Sequence, residues 1–284
     1  MSRLRSRDFI SCTHHFRTSH CTEQALDRTL HRPGPAVSGR SSDATICEDS
    51  TMERGAVIMI ATSQAFIPLT AEPTGVWLED LAAAYMAFDA AGLHISMASP
   101  DGGPVCFEPA SLSDGLISTR GRRFLASAQA RSLLAESLPL SQVRVDDSVQ
   151  AVWFAGGRGA LWDFANNAAI SRCLRSSLDA GVVIATIGCG VAALLNDAKP
   201  HWLNGRRLTG CAPEEDVRAG TDAYAPVALS AALLDQGAHF VCAPAFTPHV
   251  VSDRGLITAQ NSASAALAAD AVLALKRHQV IEAA

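Results

Sequence analysis

The sequence lacks several patterns that would assign the protein to a large functional class. No uninterrupted apolar run reaches the roughly 18–20 residues that a bilayer-spanning helix needs, so no membrane span is predicted. The net charge of −5 gives no electrostatic attraction to nucleic acid or to an anionic membrane, so neither is expected as a partner. The sequence contains no dinucleotide-binding fingerprint. The isolated GGRG at residues 156–159 does not have the required glycine spacing. These absences favour a protein that handles small molecules or other proteins and needs no cofactor.

The eight cysteines lack the spacing of a zinc site or of a disulfide framework. They stand at positions 12, 21, 47, 106, 173, 189, 211 and 242, with no CxxC pair and no Cys/His cluster of the zinc kind. Dispersed over 284 residues, they are typical of free thiols in a reducing compartment. We therefore predict a cytoplasmic protein without a metal site.

The first 54 residues differ in composition from the rest. Up to Arg40 there are seven arginines against three acidic residues, with many Ser, Thr and His residues and no apolar periodicity. Such a composition is compatible with an organelle-targeting presequence, although it lacks the apolar core of a secretory signal. The alternative is a disordered tail, or upstream sequence translated ahead of an initiator at Met52. We interpret residues 1–54 as a disordered extension and residues 55–284 as one domain.

From Gly55 onward, short apolar runs alternate with longer segments of helical spacing. Runs rich in β-branched residues predict buried strands, and the segments between them predict helices. The predicted strands are AVIMIAT (56–62), LHISMASP (93–100), VQAVWFAGG (149–157), VVIATIG (182–188), RRLTG (206–210) and AHFVCAP (238–244), followed by a hairpin over HVVSDRGLITA (249–259). The predicted helices include one within RRFLASAQARSLLAESLPL (122–140), which ends before Pro139. This alternation predicts an α/β protein with a mostly parallel sheet and helices on both faces.

Small residues cluster where two of the predicted strands end. These are Gly156–Gly157 and the triplet Gly188–Cys189–Gly190, while the first predicted helix begins with the acidic pair Glu79–Asp80. Ligands of a parallel sheet bind beyond the carboxyl ends of its strands. A glycine pair also suits an ordinary tight turn, so each feature alone is a weak signal. Their convergence at one edge of the sheet predicts a binding or catalytic site there.

Five segments resemble, in the correct order, blocks of the ThiJ/PfpI superfamily, whose members are relatives of class I glutamine amidotransferases. The segments are TGVWLEDLAAAYMAFDAAGLHISMASPDGG, VWFAGGRGALWDF, GCGVAALL, LNGRRLTGCAPEED and PHVVSDRGLITAQNSAS. The resemblance extends from about Ala56 to His278 and points to the branch containing heat-shock chaperones with glyoxalase III and deglycase activity. It implies a flavodoxin-like three-layer sandwich, usually a homodimer, with a cysteine nucleophile at a strand-to-helix turn, the elbow.

The elbow of this chain departs from the family pattern, which usually reads Val-Cys-His-Gly-Pro-Ala-Ala-Leu. Alignment without a gap places Gly188 at the nucleophile position and Cys189 at the histidine position. The family glutamate that hydrogen-bonds the sulfur falls on Asp80, and Glu79 lies one residue too early. By the same resemblance, backbone N–H groups of Gly157 and Gly190 are expected to hold a developing oxyanion.

Cys189 has three interpretations. It is a relocated nucleophile whose thiolate is favoured by the helix N-terminus, a small buried filler, or a residue with a redox-sensing or supporting role. The acidic run Glu214–Asp216 follows a predicted strand at a place where some relatives carry an acidic partner for the elbow histidine. With no histidine at position 189, the sequence offers that partner nothing obvious to orient.

The resemblance implies an enzyme that acts on a small reactive carbonyl compound, either as a glyoxalase III-like lyase or as a hydratase or hydrolase. Its expected catalytic residues are Cys189, Asp80, Glu79, Gly157 and Gly190. The alternative is a family member that kept the fold and lost the chemistry, and that acts as a chaperone or binding protein.

Overall fold

The computed structural model describes residues 55–68 and 70–283. The predicted disordered extension, residues 1–54, lies outside the described residues. The strands are β1 (Ala56–Ile60), β2 (His94–Ser99), β3 (Leu138–Pro139), β4 (Val149–Phe154), β5 (Val183–Ile187), β6 (Arg207–Leu208), β7 (His239–Phe240), β8 (Val250–Asp253) and β9 (Leu256–Ala259). The α-helices are α1 (Leu78–Ala90), α2 (Thr119–Ala126), α3 (Ala128–Ala135), α4 (Ala160–Asp163), α5 (Ala168–Asp179), α6 (Pro213–Ala219), α7 (Leu229–Asp235) and α8 (Ala265–Ala283).

Seven strands form one mostly parallel sheet in the order β3-β2-β1-β4-β5-β9-β8. The exception is β8, which pairs antiparallel with β9 across a turn at Arg254–Gly255. This confirms the predicted hairpin, whose turn was expected at Asp253–Gly255. The predicted α/β class, with a flavodoxin-like sandwich of helices around a parallel sheet, is confirmed. Because β1, β4 and β5 lie side by side in the middle, their carboxyl ends meet at the centre of one edge.

The alternation of side chains along the strands divides the core between the two faces of the sheet. In β1, Val57 and Met59 belong to the apolar cluster beneath α1 and α8, whereas Ile58 and Ile60 belong to the cluster on the opposite face. All four are buried, as expected for a parallel sheet that is covered on both sides. This burial explains why β1 reads as a continuous apolar run.

Two of the predicted strands contribute little to the sheet. RRLTG and AHFVCAP supply only β6 and β7, which pair with each other over two residues each in a separate small sheet. The β6–β7 pair lies outside the seven-stranded sheet. A short, partly apolar run predicts a strand, but it does not specify which sheet that strand joins.

The predicted helix over residues 122–140 is two helices, α2 and α3, with a break at Ser127. Ser127 has extended backbone angles, and its hydroxyl accepts a hydrogen bond of 3.3 Å from the N–H of Ala130. A serine in this conformation caps the following helix, since its oxygen satisfies a free N–H.

Among the described residues, no helix is both long enough and apolar enough to cross a membrane.

A 3₁₀ helix at Gly188–Leu195 follows β5 directly and packs closely against β4. We call it the elbow helix. A Cβ atom at Gly190 would overlap the carbonyl oxygen of Phe154 and would lie 3.0 Å from that of Ala155. Glycine at position 190 therefore allows the helix to approach the neighbouring strand.

We expect Gly190→Ala to lower the free energy of unfolding by about 3 kcal/mol or more, because the added methyl group meets backbone rather than a movable side chain. Gly181→Ala is the matched control. Gly181 has φ +65° with nothing within 4 Å of an added Cβ, so only the strain of about 1 kcal/mol applies. Chemical denaturation measures both values. Equal losses in the two variants would show that the close approach at Gly190 does not constrain the fold.

Candidate active site at the strand ends

Gly188 occupies the turn between β5 and the elbow helix. Its φ angle of +53° lies in the left-handed region, which costs a residue with a side chain roughly 1–2 kcal/mol. A sharp, strained turn of this kind at the end of a strand presents a nucleophile in many α/β enzymes. Gly188 has this left-handed conformation at the end of β5, and its assignment to the nucleophile position by the gap-free alignment stays a prediction.

The space in front of Gly188 is open. A Cβ atom built there would have only two neighbours, Oδ2 of Asp80 at 3.8 Å and the carbonyl oxygen of Gln260 at 4.0 Å. Both distances are ordinary van der Waals separations, so a side chain at this position would fit and would face Asp80. In this chain the turn therefore supplies backbone and space, but no reactive side chain.

Asp80 is held at the strand ends by the first turn of α1. The N–H of Trp77 donates to the carbonyl oxygen of Gly156 at 2.9 Å, and the indole N–H of Trp153 donates to the carbonyl oxygen of Asp80 at 3.0 Å. A Cβ at Gly156 would overlap the Asp80 carboxylate, and one at Gly157 would overlap the backbone at residues 75–77. The glycine pair thus lets α1 approach the end of β4 and place its carboxyl group there.

The Asp80 side chain is buried, with 2% of its surface exposed, and burial raises its pKa to about 7. Hydrogen bonds from the Ser262 hydroxyl and the Gly156 N–H oppose this rise, while the negative charge of Glu79 adds to it. Its Oδ1 atom has no hydrogen-bond partner among the described residues. A carboxyl group with a pKa near neutrality and an unpartnered oxygen is suited to proton transfer.

A cavity of about 480 Å³ opens at this edge of the sheet. Its wall includes Trp77, Asp80, Gly157, Gly188 and Cys189. The volume is within the usual range for sites that bind small molecules.

A second set of polar residues lines another part of the wall. Arg158 forms an ion pair with the buried carboxylate of Glu108, which also accepts a 2.8 Å hydrogen bond from the Thr74 hydroxyl. The guanidinium of Arg158 also contacts the Tyr224 hydroxyl at 2.5 Å. The charge of Arg158 is therefore balanced within the protein.

The Cys189 side chain is buried, with 8% of its surface exposed, and it belongs partly to the apolar cluster that contains Phe154. Its polar neighbour is the thiol of Cys211, and Cys211 Sγ in turn donates to Oδ1 of Asp216 at 3.1 Å. The contact with Cys189, together with burial, raises the pKa of Cys211. Burial also raises the pKa of Asp216, against the effect of its hydrogen bond to Cys211. All three side chains border the cavity.

Comparison with solved structures identifies the family. The chain is 30% identical to the Rapid Encystment Protein 24 kDa of Francisella tularensis, with a TM-score of 0.72, and the match covers 77% of this chain and 97% of that one. The chain belongs to the ThiJ/PfpI superfamily.

Other known proteins share the fold or part of the sequence. Glyoxalase III from Candida albicans shares the fold, with 19% identity, a TM-score of 0.68, and coverage of 78% of this chain and 96% of that one. The human glutamine amidotransferase-like class 1 domain-containing protein 1 is 35% identical over 109 residues, which is 37% of this chain and 50% of the relative. The chain thus spans about half the length of the curated relatives that it matches. A scan against protein-family models found no match.

The structure brings three of the predicted catalytic residues to the cavity, namely Asp80, Gly157 and Cys189. Glu79 does not line it, because its carboxylate faces α2 and is bound by Ser118 and Arg120. Gly190 does not line it either, since it lies against β4. The catalytic roles assigned to these five residues from the sequence remain predictions.

Three residues at the site were not singled out from the sequence. Ser262 follows β9 and donates to Asp80, although AQNSAS was recognised only as a family block. Cys211 lies within the family block LNGRRLTGCAPEED but was not assigned a role there, and its N–H donates to the Gly188 carbonyl oxygen at 3.3 Å. Gln260 is buried and donates to the Glu215 carboxylate at 2.9 Å. None of these contacts has a signature in the local sequence.

The raised pKa of Asp80 predicts that the protein loses stability as the pH rises. The folded carboxyl keeps its proton up to about pH 7, whereas an unfolded aspartate loses it near pH 4. The free energy of unfolding should therefore fall between these values, by on the order of 4 kcal/mol, and then level off. Asp80→Asn should remove this fall, so that the variant gains stability relative to the parent across the same interval.

Urea denaturation at a series of pH values measures this effect. Asp89→Asn is the matched control, because Asp89 lies on the same helix but is exposed. A constant difference between Asp80→Asn and the parent from pH 4 to pH 8 would contradict the raised pKa.

Proposed function

We propose that this ThiJ/PfpI protein is an enzyme that acts on a small carbonyl compound, with Asp80 as the group that moves the proton. The observation that carries the proposal is the buried Asp80 carboxyl, which borders the cavity and has a pKa of about 7. A general base or acid is most effective when its pKa is near the working pH. Among the described residues, Asp80 supplies the only carboxylate oxygen within 4 Å of a Cβ atom built at Gly188, whereas Asp216, whose pKa is also raised, is hydrogen-bonded to Cys211.

Backbone N–H groups close to Asp80 are suited to hold a developing oxyanion. The first N–H groups of the elbow helix have no partner within that helix and point towards its N-terminal end. Gly157 borders the same cavity, and its N–H donates to no acceptor within the described part of the chain. Donors of this kind stabilise negative charge on a carbonyl oxygen during an addition or proton abstraction.

The proposed reaction class is the conversion of a 2-oxoaldehyde into a 2-hydroxy acid, with methylglyoxal and lactate as the test pair. Asp80 takes a proton from a water molecule as the water oxygen bonds to the aldehyde carbon, and the displaced electron pair moves to the carbonyl oxygen. Protonation of that oxygen by Asp80 completes the hydrate. Asp80 then takes the proton from C1 of the hydrate, so that the C1–H electron pair forms a C1–C2 double bond and the C2 carbonyl pair moves onto its oxygen. When Asp80 returns the proton to C2, the double-bond pair forms the C2–H bond, one C1 hydroxyl becomes the carbonyl of the acid, and the proton of that hydroxyl passes to the C2 oxygen. The whole conversion consumes one water. The likeness in fold to a glyoxalase III supports this choice of substrate class.

This mechanism uses no thiolate. It is therefore compatible with the absence of a side chain at Gly188. The relocated nucleophile predicted at Cys189 remains a competing mechanism. The position of the Cys189 thiol beside Cys211 favours the mechanism that depends on Asp80 alone.

We expect Asp80→Asn to lower kcat/KM for methylglyoxal at least about 100-fold, because an amide acts neither as a base nor as an acid near neutral pH. In the parent, kcat/KM should rise with pH through about 7 as the base ionises. Glu79→Gln is the matched control, because it also replaces a carboxyl group by an amide. It should retain most of the activity, since Glu79 faces α2 rather than the cavity. Steady-state kinetics across pH 5–9 provides all three measurements.

Cys189→Ser separates the two mechanisms. If Asp80 acts alone, the serine variant should keep kcat/KM within a few-fold of the parent. Loss of turnover in Cys189→Ser but not in Cys173→Ser would overturn the proposal in favour of the relocated thiol.

The second candidate is a binding or chaperone function without catalysis, and the glycine at the nucleophile position favours it. Absence of methylglyoxal turnover by the parent, together with suppression of aggregation of an unfolded client, would select this function. The homodimer and the cytoplasmic location expected from the sequence stay proposals, and sedimentation of the full chain tests the dimer.

A further inference from the structure

Three metal-binding side chains from separate elements converge behind the elbow. The thiols of Cys189 and Cys211 and one carboxylate oxygen of Asp216 all lie within 4.8 Å of one another. Cys189 is in the first turn of the elbow helix, Cys211 follows β6, and Asp216 is in α6. The hydrogen bond from the Cys211 N–H to the Gly188 carbonyl oxygen ties the second thiol to the elbow backbone.

The spacing of these atoms suits a tetrahedral ion. Zinc lies about 2.3 Å from a thiolate and about 2.1 Å from a carboxylate oxygen, so tetrahedral angles put two thiolates about 3.8 Å apart and a thiolate and an oxygen about 3.6 Å apart. The observed limit of 4.8 Å for all three pairs, and the 3.1 Å from Cys211 Sγ to Asp216 Oδ1, bracket those values. Shifts smaller than about 1 Å would bring the three atoms to ligand positions.

We propose that Cys189, Cys211 and Asp216 bind one thiophilic divalent cation of the zinc type. Two thiolates and one carboxylate favour zinc over magnesium or calcium, which prefer oxygen ligands. All three residues border the cavity, so a fourth coordination position faces it and is open to water or to a small ligand. Three protein ligands leave one position of a tetrahedral ion open, whereas structural zinc sites are closed by four protein ligands. This inference goes beyond the proposed function and does not depend on it.

A bound cation would take the place of the thiol proton that Cys211 donates to Asp216 in this structure. Thiols must lose their protons to bind zinc, so the affinity should fall as the pH is lowered. Because Cys189 and Cys211 are 22 positions apart and Asp216 lies on a third element, no short sequence motif records the site.

The test is metal binding by the full chain, kept under a mild reductant and titrated with Co²⁺ and then Zn²⁺. We expect one equivalent of Co²⁺ to give thiolate-to-cobalt charge-transfer absorption, which Zn²⁺ then abolishes. Cys189→Ser and Cys211→Ser should each weaken Co²⁺ binding by roughly tenfold or more and remove most of the charge-transfer absorption. Asp216→Asn should weaken Co²⁺ binding but keep the charge-transfer absorption, because both thiolates remain.

Controls distinguish this cluster from the other cysteines. Cys173→Ser and Cys242→Ser should leave binding unchanged, because neither thiol belongs to the cluster. A full-length variant with Cys12, Cys21 and Cys47 replaced by serine should also retain the absorption. The proposal is overturned if no charge-transfer band appears, if the band survives in Cys189→Ser and Cys211→Ser, or if these two cysteines form a disulfide that persists under the reductant. Since binding is read without substrate, loss of methylglyoxal turnover and loss of metal binding remain separate results.

Discussion

The candidate site depends on the close approach of three backbone segments: the end of β4, the end of β5 with the elbow helix, and the start of α1. Side chains at Gly156, Gly157 or Gly190 would overlap neighbouring backbone or the Asp80 carboxylate. Protein interiors are close-packed, so such overlaps cannot be absorbed by small shifts. The absence of three side chains thus allows the first turn of a helix to deliver Asp80 to the centre of the sheet edge.

The same approach determines the chemistry of Asp80. Burial against the strand ends removes water from the carboxyl group, and this desolvation is the main reason for its raised pKa. Ser262 and Gly156 donate hydrogen bonds that limit the shift. The result is a carboxyl group whose pKa is about 7, next to the open space in front of Gly188. The fold of the ThiJ/PfpI superfamily is therefore retained, and the turn at Gly188 carries no side chain.

Much of the fold was predictable because its signals are local. The buried strands and the hairpin over residues 249–259 were read from short segments. The departures from prediction have different origins. The break at Ser127 depends on a single local cap. RRLTG and AHFVCAP do form short strands, but these pair in a separate small sheet because strand pairing is decided by the whole fold.

The sequence by itself determined the α/β class and placed the glycines at the ends of β4 and β5, since periodicity and the spacing of glycines are properties of contiguous residues. Only the tertiary structure decided the environment of each side chain there. It directed Glu79 towards α2, buried Asp80 at the cavity, and set Cys189 beside Cys211 and Asp216. Burial, and contact between residues far apart in the chain, depend on how the elements pack, which no short segment of sequence contains.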